Sequence, residues 1–229
     1  MFTGFPEETI RFFLDLRFHN NAAFFDENRE RYRQEVVAPF SAFIEELTPA
    51  MLAIDAGMEV RPYKCMARIH RDTRFTKDKS PYRDHLWLLF RRAGEPREMA
   101  VNYWFELGPG RIGWGLGFWG ENRPVMDALR RKMEARPEQI LGIIDQCNLP
   151  ERHLAVGGTS FKRITYPPKL PEQLKPWYAA RELYICKVFP EVTWAFEPSI
   201  AERVQGDFQA MAPLYRLMRG LQDDMNQEG

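Results

Sequence analysis

Residues 99–118 read MAVNYWFELGPGRIGWGLGF, and this stretch decides the fold class. Apolar and other residues alternate on both sides of Gly108, Pro109 and Gly110, which is the period of a β-strand. The apolar members of the two runs are Met99, Val101, Tyr103, Phe105 and Leu107, then Ile112, Trp114, Leu116 and Phe118. Because Gly-Pro-Gly favours a tight turn, the stretch predicts a β-hairpin.

The second predicted strand has one face with no side chains, since Gly113, Gly115 and Gly117 alternate with its apolar residues. Glycine within a strand indicates that other backbone approaches closely. Another element is therefore expected to cover this face, and a packed helix is the favoured interpretation.

Helical periodicity surrounds the hairpin. Before it, apolar residues at helical spacing predict a helix at 6–18, a second that ends near Pro39 and a third from Phe40 to about Gly57. After it, Asn122 is a candidate cap for a helix that begins near Pro124, and a second helix follows around 140–144. Residues 148–177 are rich in proline and predict irregular structure. A terminal helix is expected at 200–215, interrupted at Pro213.

Segments 62–70 and 85–92 are plausible further strands, which gives a mostly antiparallel sheet of about four strands. Helices from both ends of the chain would pack on this sheet, so the predicted fold class is α+β. No internal repeat or linker interrupts the 229 residues, and one domain spanning 1–229 is expected.

Composition favours a folded protein of the cytoplasm. Hydrophobic residues make up 45% of the chain and charged residues 28%, which excludes the profile of a disordered protein. The N-terminus lacks the basic and apolar parts of a signal peptide, and no membrane association is predicted. Cys65, Cys147 and Cys186 are odd in number and have no CxxC spacing, so neither a disulfide framework nor a cysteine zinc site is expected. The oligomeric state is left open.

Charge is balanced overall and uneven locally. The chain has 32 basic and 32 acidic residues, so no global field draws it to nucleic acid. Residues 61–84, here called the basic segment, hold eight basic and three acidic side chains, a local net charge of +5. Function is therefore sought in this segment.

Within the basic segment, residues 68–82 read RIHRDTRFTKDKSPY. This stretch resembles the signature of a bacterial family described as a domain of unknown function, number 2461. The matching positions are Arg68, Arg71, Asp72, Arg74, Phe75, Lys79, Pro81 and Tyr82. The resemblance extends to Asn20, Asn21, Phe25, Asn28, Arg29 and Tyr32. It implies membership over most of the chain and implies no particular activity.

The side chains of the stretch predict an anion site. Arginine offers a planar fork of donors that fits a phosphate, and the residues expected to bind are Arg68, Arg71, Asp72, Arg74, Lys79 and Tyr82. Asp72 would hold one guanidinium in place, while Tyr82 would add a hydrogen bond. The predicted ligand is a phosphorylated small molecule or a nucleotide.

Two other interpretations stay open. Arg71, Asp72 and Arg74 can form an internal ion-pair network, with Phe75 and Tyr82 as core anchors, in a structural or partner-binding protein. The same charges, interleaved with aromatic residues such as Trp87, can also bind nucleic acid. The zero net charge makes nucleic acid the less favoured partner.

The sequence assigns no reaction, and the catalytic residues are unknown. If the chain is an enzyme, Asp72 or His70 is the candidate for proton transfer. His70, Asp72, Asp84 and His85 are potential metal ligands, but they form no compact ligand motif. Neither a phosphate-binding GxxxxGK[ST] loop nor a dinucleotide fingerprint is present. No metal and no cofactor are predicted.

Overall fold

The chain begins with a series of helices. The computed structural model describes residues 2–97, 100–118 and 120–228, with side chains through residue 224, so the strand position predicted for Met99 lies outside the described residues. The first elements are α1 (Glu7–Phe18), α2 (Ala22–Glu27), α3 (Arg29–Tyr32), a π-helical turn (Arg33–Val37), α4 (Ala38–Ile54) and α5 (Pro62–Cys65). This part of the chain is helical, as the apolar spacing predicts.

A five-stranded antiparallel sheet occupies the middle of the sequence and confirms the α+β class. Its strands are β1 (Leu86–Phe90), β2 (Val101–Gly108), β3 (Arg111–Phe118), β4 (Ala155–Gly157) and β5 (Tyr184–Phe189), in the order β1-β2-β3-β5-β4. The predicted hairpin is confirmed as β2 and β3. Gly110 takes a positive φ of 72° in the turn between them, where glycine carries no steric cost.

Helices return after β3, and some of them lie between β3 and the last two strands along the chain. They are α6 (Arg123–Ala135), α7 (Pro137–Gln146), α8 (Lys175–Ala179), α9 (Ser199–Ala210) and α10 (Ala212–Glu228). Asn122 is the predicted cap of α6, and its side-chain oxygen accepts a hydrogen bond from the Val125 amide at 3.4 Å. The terminal helix is interrupted next to Pro213, as predicted. Short turns at Glu172–Leu174 and Thr193–Phe196 add 3-10 structure to the irregular stretches.

The strand predicted at 62–70 is wrong. Residues Pro62–Cys65 form a helical turn, because proline at the first position of a helix has the required φ and its missing N–H costs nothing there. The following residues are extended but make only isolated bridges, Met66 with Leu88 and His70 with Tyr82. The strand predicted at 85–92 is confirmed as β1.

The helix boundary predicted at Pro39 is also wrong. Helical structure continues through this residue, since a π-helical turn precedes it and the Ala38 amide donates to the Arg33 carbonyl. Proline has no N–H for the carbonyl four residues earlier, that of Glu35. The buried Thr9 hydroxyl donates to this carbonyl instead. A side chain of α1 thus satisfies the group that Pro39 leaves without its helical partner.

Strand β5 pairs beside β3 and makes the close backbone approach at Gly115 and Gly117, so the favoured interpretation of a packed helix is wrong at these two glycines. A Cβ atom added to Gly115 would lie 2.2 Å from the Ile185 carbonyl oxygen. One added to Gly117 would lie 2.4 Å from the Tyr184 Cβ atom. Both distances are far below a normal contact, so the close strand pairing requires glycine at these positions.

The chain divides into two compact units. Unit 1 comprises Met1–Phe90, Trp104–Trp114 and Val188–Gln205, and unit 2 comprises Arg91–Tyr103, Gly115–Lys187 and Gly206–Gly229. In unit 1 the Phe105 ring lies 4.6 Å from Phe43 and 5.7 Å from Phe5. In unit 2 the Tyr103 ring lies 4.8 Å from Phe208 and 5.3 Å from Tyr215. The single domain expected from the sequence stays a prediction.

One continuous helical run, Arg29–Ile54, is long and apolar enough to cross a membrane by length and composition alone. Its apolar stripe includes Phe40, Phe43 and Leu47, each fully buried within unit 1. The core helix of a soluble protein has these same properties, so the run is weak grounds for a membrane span.

Candidate functional site

The basic segment forms a hairpin with an exposed tip. Its arms, 66–71 and 81–88, are joined by hydrogen bonds from the Ala67 amide to the Trp87 carbonyl (2.9 Å) and from the Arg71 amide to the Pro81 carbonyl (2.8 Å). The Arg83 amide donates to the Ile69 carbonyl at 2.8 Å. Residues 66–88 are called the basic hairpin below, and residues 72–80 its tip. All of these residues belong to unit 1.

Asn20 anchors the base of the basic hairpin. Its side-chain amide donates to the Tyr82 carbonyl at 2.9 Å, and its side-chain oxygen accepts from the Tyr82 amide at 3.0 Å. Both backbone groups of Tyr82 are thus satisfied by one side chain that follows α1. Tyr82 is only 5% exposed, so its backbone groups have little access to water. The bonds from Asn20 supply the hydrogen-bond partners that they need.

An aromatic cluster surrounds the same anchor. The Phe25 ring stacks on Tyr82 with centroids 4.3 Å apart and an interplanar angle of 16°. His70 lies 5.0 Å from Tyr82, and Tyr32 lies 5.3 Å from Phe25. Burial raises the pKa of Tyr32 to about 12. The two separate parts of the family resemblance, around Asn20 and around Tyr82, therefore meet at the base of the basic hairpin.

Two ion pairs order the tip. The Arg74 guanidinium binds Asp72 through two nitrogens, Nε to Oδ1 at 3.0 Å and Nη2 to Oδ2 at 2.7 Å. Arg71 pairs with Asp78, whose Oδ1 also accepts from the Ser80 amide at 2.9 Å. The hydrogen bond from Arg74 lowers the pKa of Asp72 to about 2. The hydrogen bonds with Ser80, followed by that with Arg71, lower the pKa of Asp78 to about 2.

The cations of the tip remain accessible although several are paired. Arg74 keeps 77% of its side-chain surface exposed. Lys79 donates one bond, to the Thr73 carbonyl at 2.8 Å, and has further donors. The side chains of Arg68 and Lys77 are exposed and have no partner within the described part of the chain. The tip thus holds Asp72, Arg74 and Lys79 of the predicted site. Arg71 ends the first arm directly before the tip, Arg68 lies further along that arm and Tyr82 lies at the base.

Phe75 is 89% exposed, with the Arg74 guanidinium 5.5 Å from its ring centroid. The ion-pair interpretation expected Phe75 to be a core anchor, and this expectation is wrong because the residue lies on the exposed tip. Tyr82, the other expected anchor, is buried. The basic hairpin therefore has a packed aromatic base and an exposed tip.

The two candidates for proton transfer have other contacts. Asp72 binds Arg74 and, with a pKa of about 2, is a weak base at neutral pH. The His70 ring lies in the aromatic cluster. Neither arrangement identifies a reaction, although the prediction that Asp72 holds a guanidinium agrees with its pairing to Arg74.

His85, on the second arm of the basic hairpin, lies between two carboxylates, and sequence reasoning missed one of them, that of Glu106. His85 Nδ1 is 3.0 Å from Asp84 Oδ1, and its Nε2 is 3.8 Å from Glu106 Oε1. Burial raises the pKa of Asp84, but its bonds with His85 and Arg17 outweigh this and the pKa lies below the ordinary value. Among the residues that the structure describes, no group of three or more His, Cys, Asp or Glu side chains is arranged to hold a metal.

An open pocket of about 440 Å³ is a second feature that the sequence did not reveal. Phe2, Phe5, Ala42 and Phe196 line it, together with Gln34 from the π-helical turn. Its lining contains none of the predicted site residues. Only the folding of the N-terminal stretch against the π-helical turn brings these residues together, and no local motif indicates it.

Acidification tests the ion pairs of the tip. Because the folded pKa values of Asp72 and Asp78 lie near 2, below the ordinary 3.8, the pairs contribute fully above pH 3.8. Their contribution is lost as the pH falls through about 2. We expect carboxyl-carbon NMR titrations of both residues to have midpoints near 2. Arg74→Ala should move the Asp72 midpoint toward 3.8, and an Asp72 midpoint already at 3.8 in the unmodified chain would contradict the pair.

The fold and the site define an α+β protein with a basic hairpin anchored by aromatic residues. The chain belongs to the family described as Conserved hypothetical protein (DUF2461), whose model matches residues 8–217. This match confirms the family resemblance and spans the whole basic hairpin together with its Asn20 anchor. No curated protein matches the sequence.

Proposed function

We propose that the chain binds an anionic small molecule, a phosphorylated metabolite or a nucleotide, at the tip of the basic hairpin. The observation that carries this proposal is that the Arg74 guanidinium is both held in place and exposed to solvent. Asp72 fixes this guanidinium by hydrogen bonds from two of its nitrogens, while 77% of the side chain stays exposed. A guanidinium that is already ordered loses little entropy when it binds a phosphate, so the contact gains affinity.

The neighbouring cations support the same proposal. Lys77 and Lys79 lie within five residues of Arg74 on the exposed tip, and Arg68 is exposed on the adjoining arm. Basic side chains outnumber acidic ones throughout 68–83, so a bound phosphate would meet a positive local field. Loops held by a rigid base are common positions for binding residues. The proposal includes a cytoplasmic location and leaves the reaction, if any, unassigned.

A second candidate function is structural. The pairs Arg71–Asp78 and Arg74–Asp72 favour it, because each guanidinium already has a carboxylate partner. In this case the two ion pairs would only hold the tip in its conformation, or would form part of an interface with a partner protein. Exposed pairs of this kind contribute little to stability, which is the main argument against a purely structural role. Nucleic acid stays the less favoured ligand because the chain carries no net charge.

Calorimetric titration with inorganic phosphate, ribose 5-phosphate and AMP tests the anion site. We expect Arg74→Ala to weaken the affinity for these probes by about 10- to 100-fold, because a charge-assisted hydrogen bond is lost. The melting temperature without ligand should stay unchanged, since both members of the pair are exposed.

Arg123→Ala is the matched control for this experiment. Arg123 is also exposed, at 86% of its side chain, and lies 3.7 Å from the carboxylate of Asp127. Its removal should leave the affinity for all three probes unchanged. An Arg74→Ala variant that binds like the unmodified chain, or that unfolds at a clearly lower temperature, would favour the structural role instead.

A further inference from the structure

Phe75 gives the proposed ligand a more specific identity. This ring is the most exposed large hydrophobic side chain within the part of the chain that the structure describes, at 89%. Exposing an aromatic ring to water has a free-energy cost, and with 89% of Phe75 exposed most of this cost is not offset by burial. A side chain that is exposed in the free protein and adjoins a binding loop often contacts the ligand.

The surroundings of the ring favour stacking. The Arg74 guanidinium lies 5.5 Å from the Phe75 centroid, over the ring, and Asp72 holds this guanidinium in place. One face of the ring therefore carries an ordered cation. Planar bases stack on aromatic side chains, and arginine adds a cation–π contribution to such stacking.

The positions of the cations fit a phosphate attached to a base. Lys77 is two residues from Phe75, so their Cα atoms are at most about 7 Å apart. This separation is comparable to the distance between the base and the phosphate of a nucleotide. On the strength of the proposed function, we infer that the ligand is a nucleotide whose base stacks on Phe75 and whose phosphate binds the cations of the tip.

A membrane surface is the main competing occupant, because an exposed aromatic residue among basic ones can also enter a lipid interface. One feature of the tip argues against it. A single aromatic ring buries little apolar area, and stable anchoring requires more than one weak signal.

The experiment compares AMP, ribose 5-phosphate and adenosine by calorimetric titration of the full chain. AMP should bind more tightly than ribose 5-phosphate, because only AMP carries a base. Phe75→Ala should weaken AMP binding by about 5- to 150-fold, the range expected for loss of one base–aromatic stack, and leave ribose 5-phosphate unchanged. Phe75→Trp should retain the preference for AMP.

Phe161→Ala is the matched control, since Phe161 is also partly exposed and lies 5.2 Å from the Arg130 guanidinium. It should not alter AMP binding. Equal affinities for AMP and ribose 5-phosphate, both unaffected by Phe75→Ala, would overturn the nucleotide inference and leave the anion site intact. If no phosphate probe binds, both proposals fail. Binding to phosphatidylserine vesicles that Phe75→Ala abolishes, without any preference for AMP, would overturn the inference in favour of a membrane surface.

Discussion

Tyr82→Ala is expected to lower the free energy of unfolding by about 3–5 kcal/mol, the usual cost of deleting a buried aromatic ring. Tyr82 is 5% exposed and its ring stacks on Phe25 at 4.3 Å, so the substitution leaves a cavity beside the aromatic cluster. The Asn20 bonds to the backbone of residue 82 do not depend on the ring and can persist. Urea denaturation followed by circular dichroism measures the loss.

Tyr63→Ala provides the comparison for this prediction, because Tyr63 also belongs to the basic segment but is 68% exposed. Its removal should change the free energy of unfolding little, as for most exposed positions. Tyr82→Phe should retain most of the stability, since it keeps the stacked ring. A Tyr82→Ala variant as stable as Tyr63→Ala would show that the cluster does not anchor the basic hairpin.

Asp207→Ala is the second substitution with a large expected effect, a loss of about 3–5 kcal/mol. The Asp207 side chain is 5% exposed and receives Lys187 Nζ at 2.7 Å and Arg152 Nη1 at 3.3 Å. Lys187 is itself 15% exposed, so removing the carboxylate leaves a largely buried positive charge without this counter-charge. The urea midpoint of unfolding should therefore fall.

Asp26→Ala serves as the control for this ion pair. Asp26 pairs with Arg29 at 2.5 Å, but both side chains are more than half exposed. Surface pairs of this kind contribute at most about 1 kcal/mol. Equal losses for Asp207→Ala and Asp26→Ala would mean that burial does not strengthen the Asp207 interactions.

Local patterns predicted the elements whose residues carry a clear period. The alternation around Gly108 and Gly110 indicated β2 and β3, and the helical spacing after Asn122 indicated α6. Strand β5 was missed because most residues of Tyr184–Phe189 are only half-buried, and such a strand lacks a strong apolar alternation. The boundary at Pro39 failed for another reason, since a hydroxyl from α1 satisfies the carbonyl that the proline leaves without a partner.

The sequence predicted which residues belong to the candidate site. It predicted only some of the contacts between them. Asp72 and Arg74 are two residues apart, so their pairing could be expected from the sequence. The contact between Asn20 and Tyr82 joins residues 62 positions apart, and no local pattern indicates it. Whether Phe75 faces the core or the solvent also depends on the tertiary structure, because exposure of a loop residue is not encoded by its own type.

The close pairing of β3 with β5 has a consequence for folding kinetics. Gly115 and Gly117 lie against Ile185 and Tyr184. This contact closes a loop that contains residues 118–183. Closing so long a loop costs chain entropy before any strand contact offsets it. Such non-local pairings slow folding, whereas α6 and α7 are local and can form early. We therefore expect β5 to dock onto the two glycines late in folding, after α6 and α7 have formed.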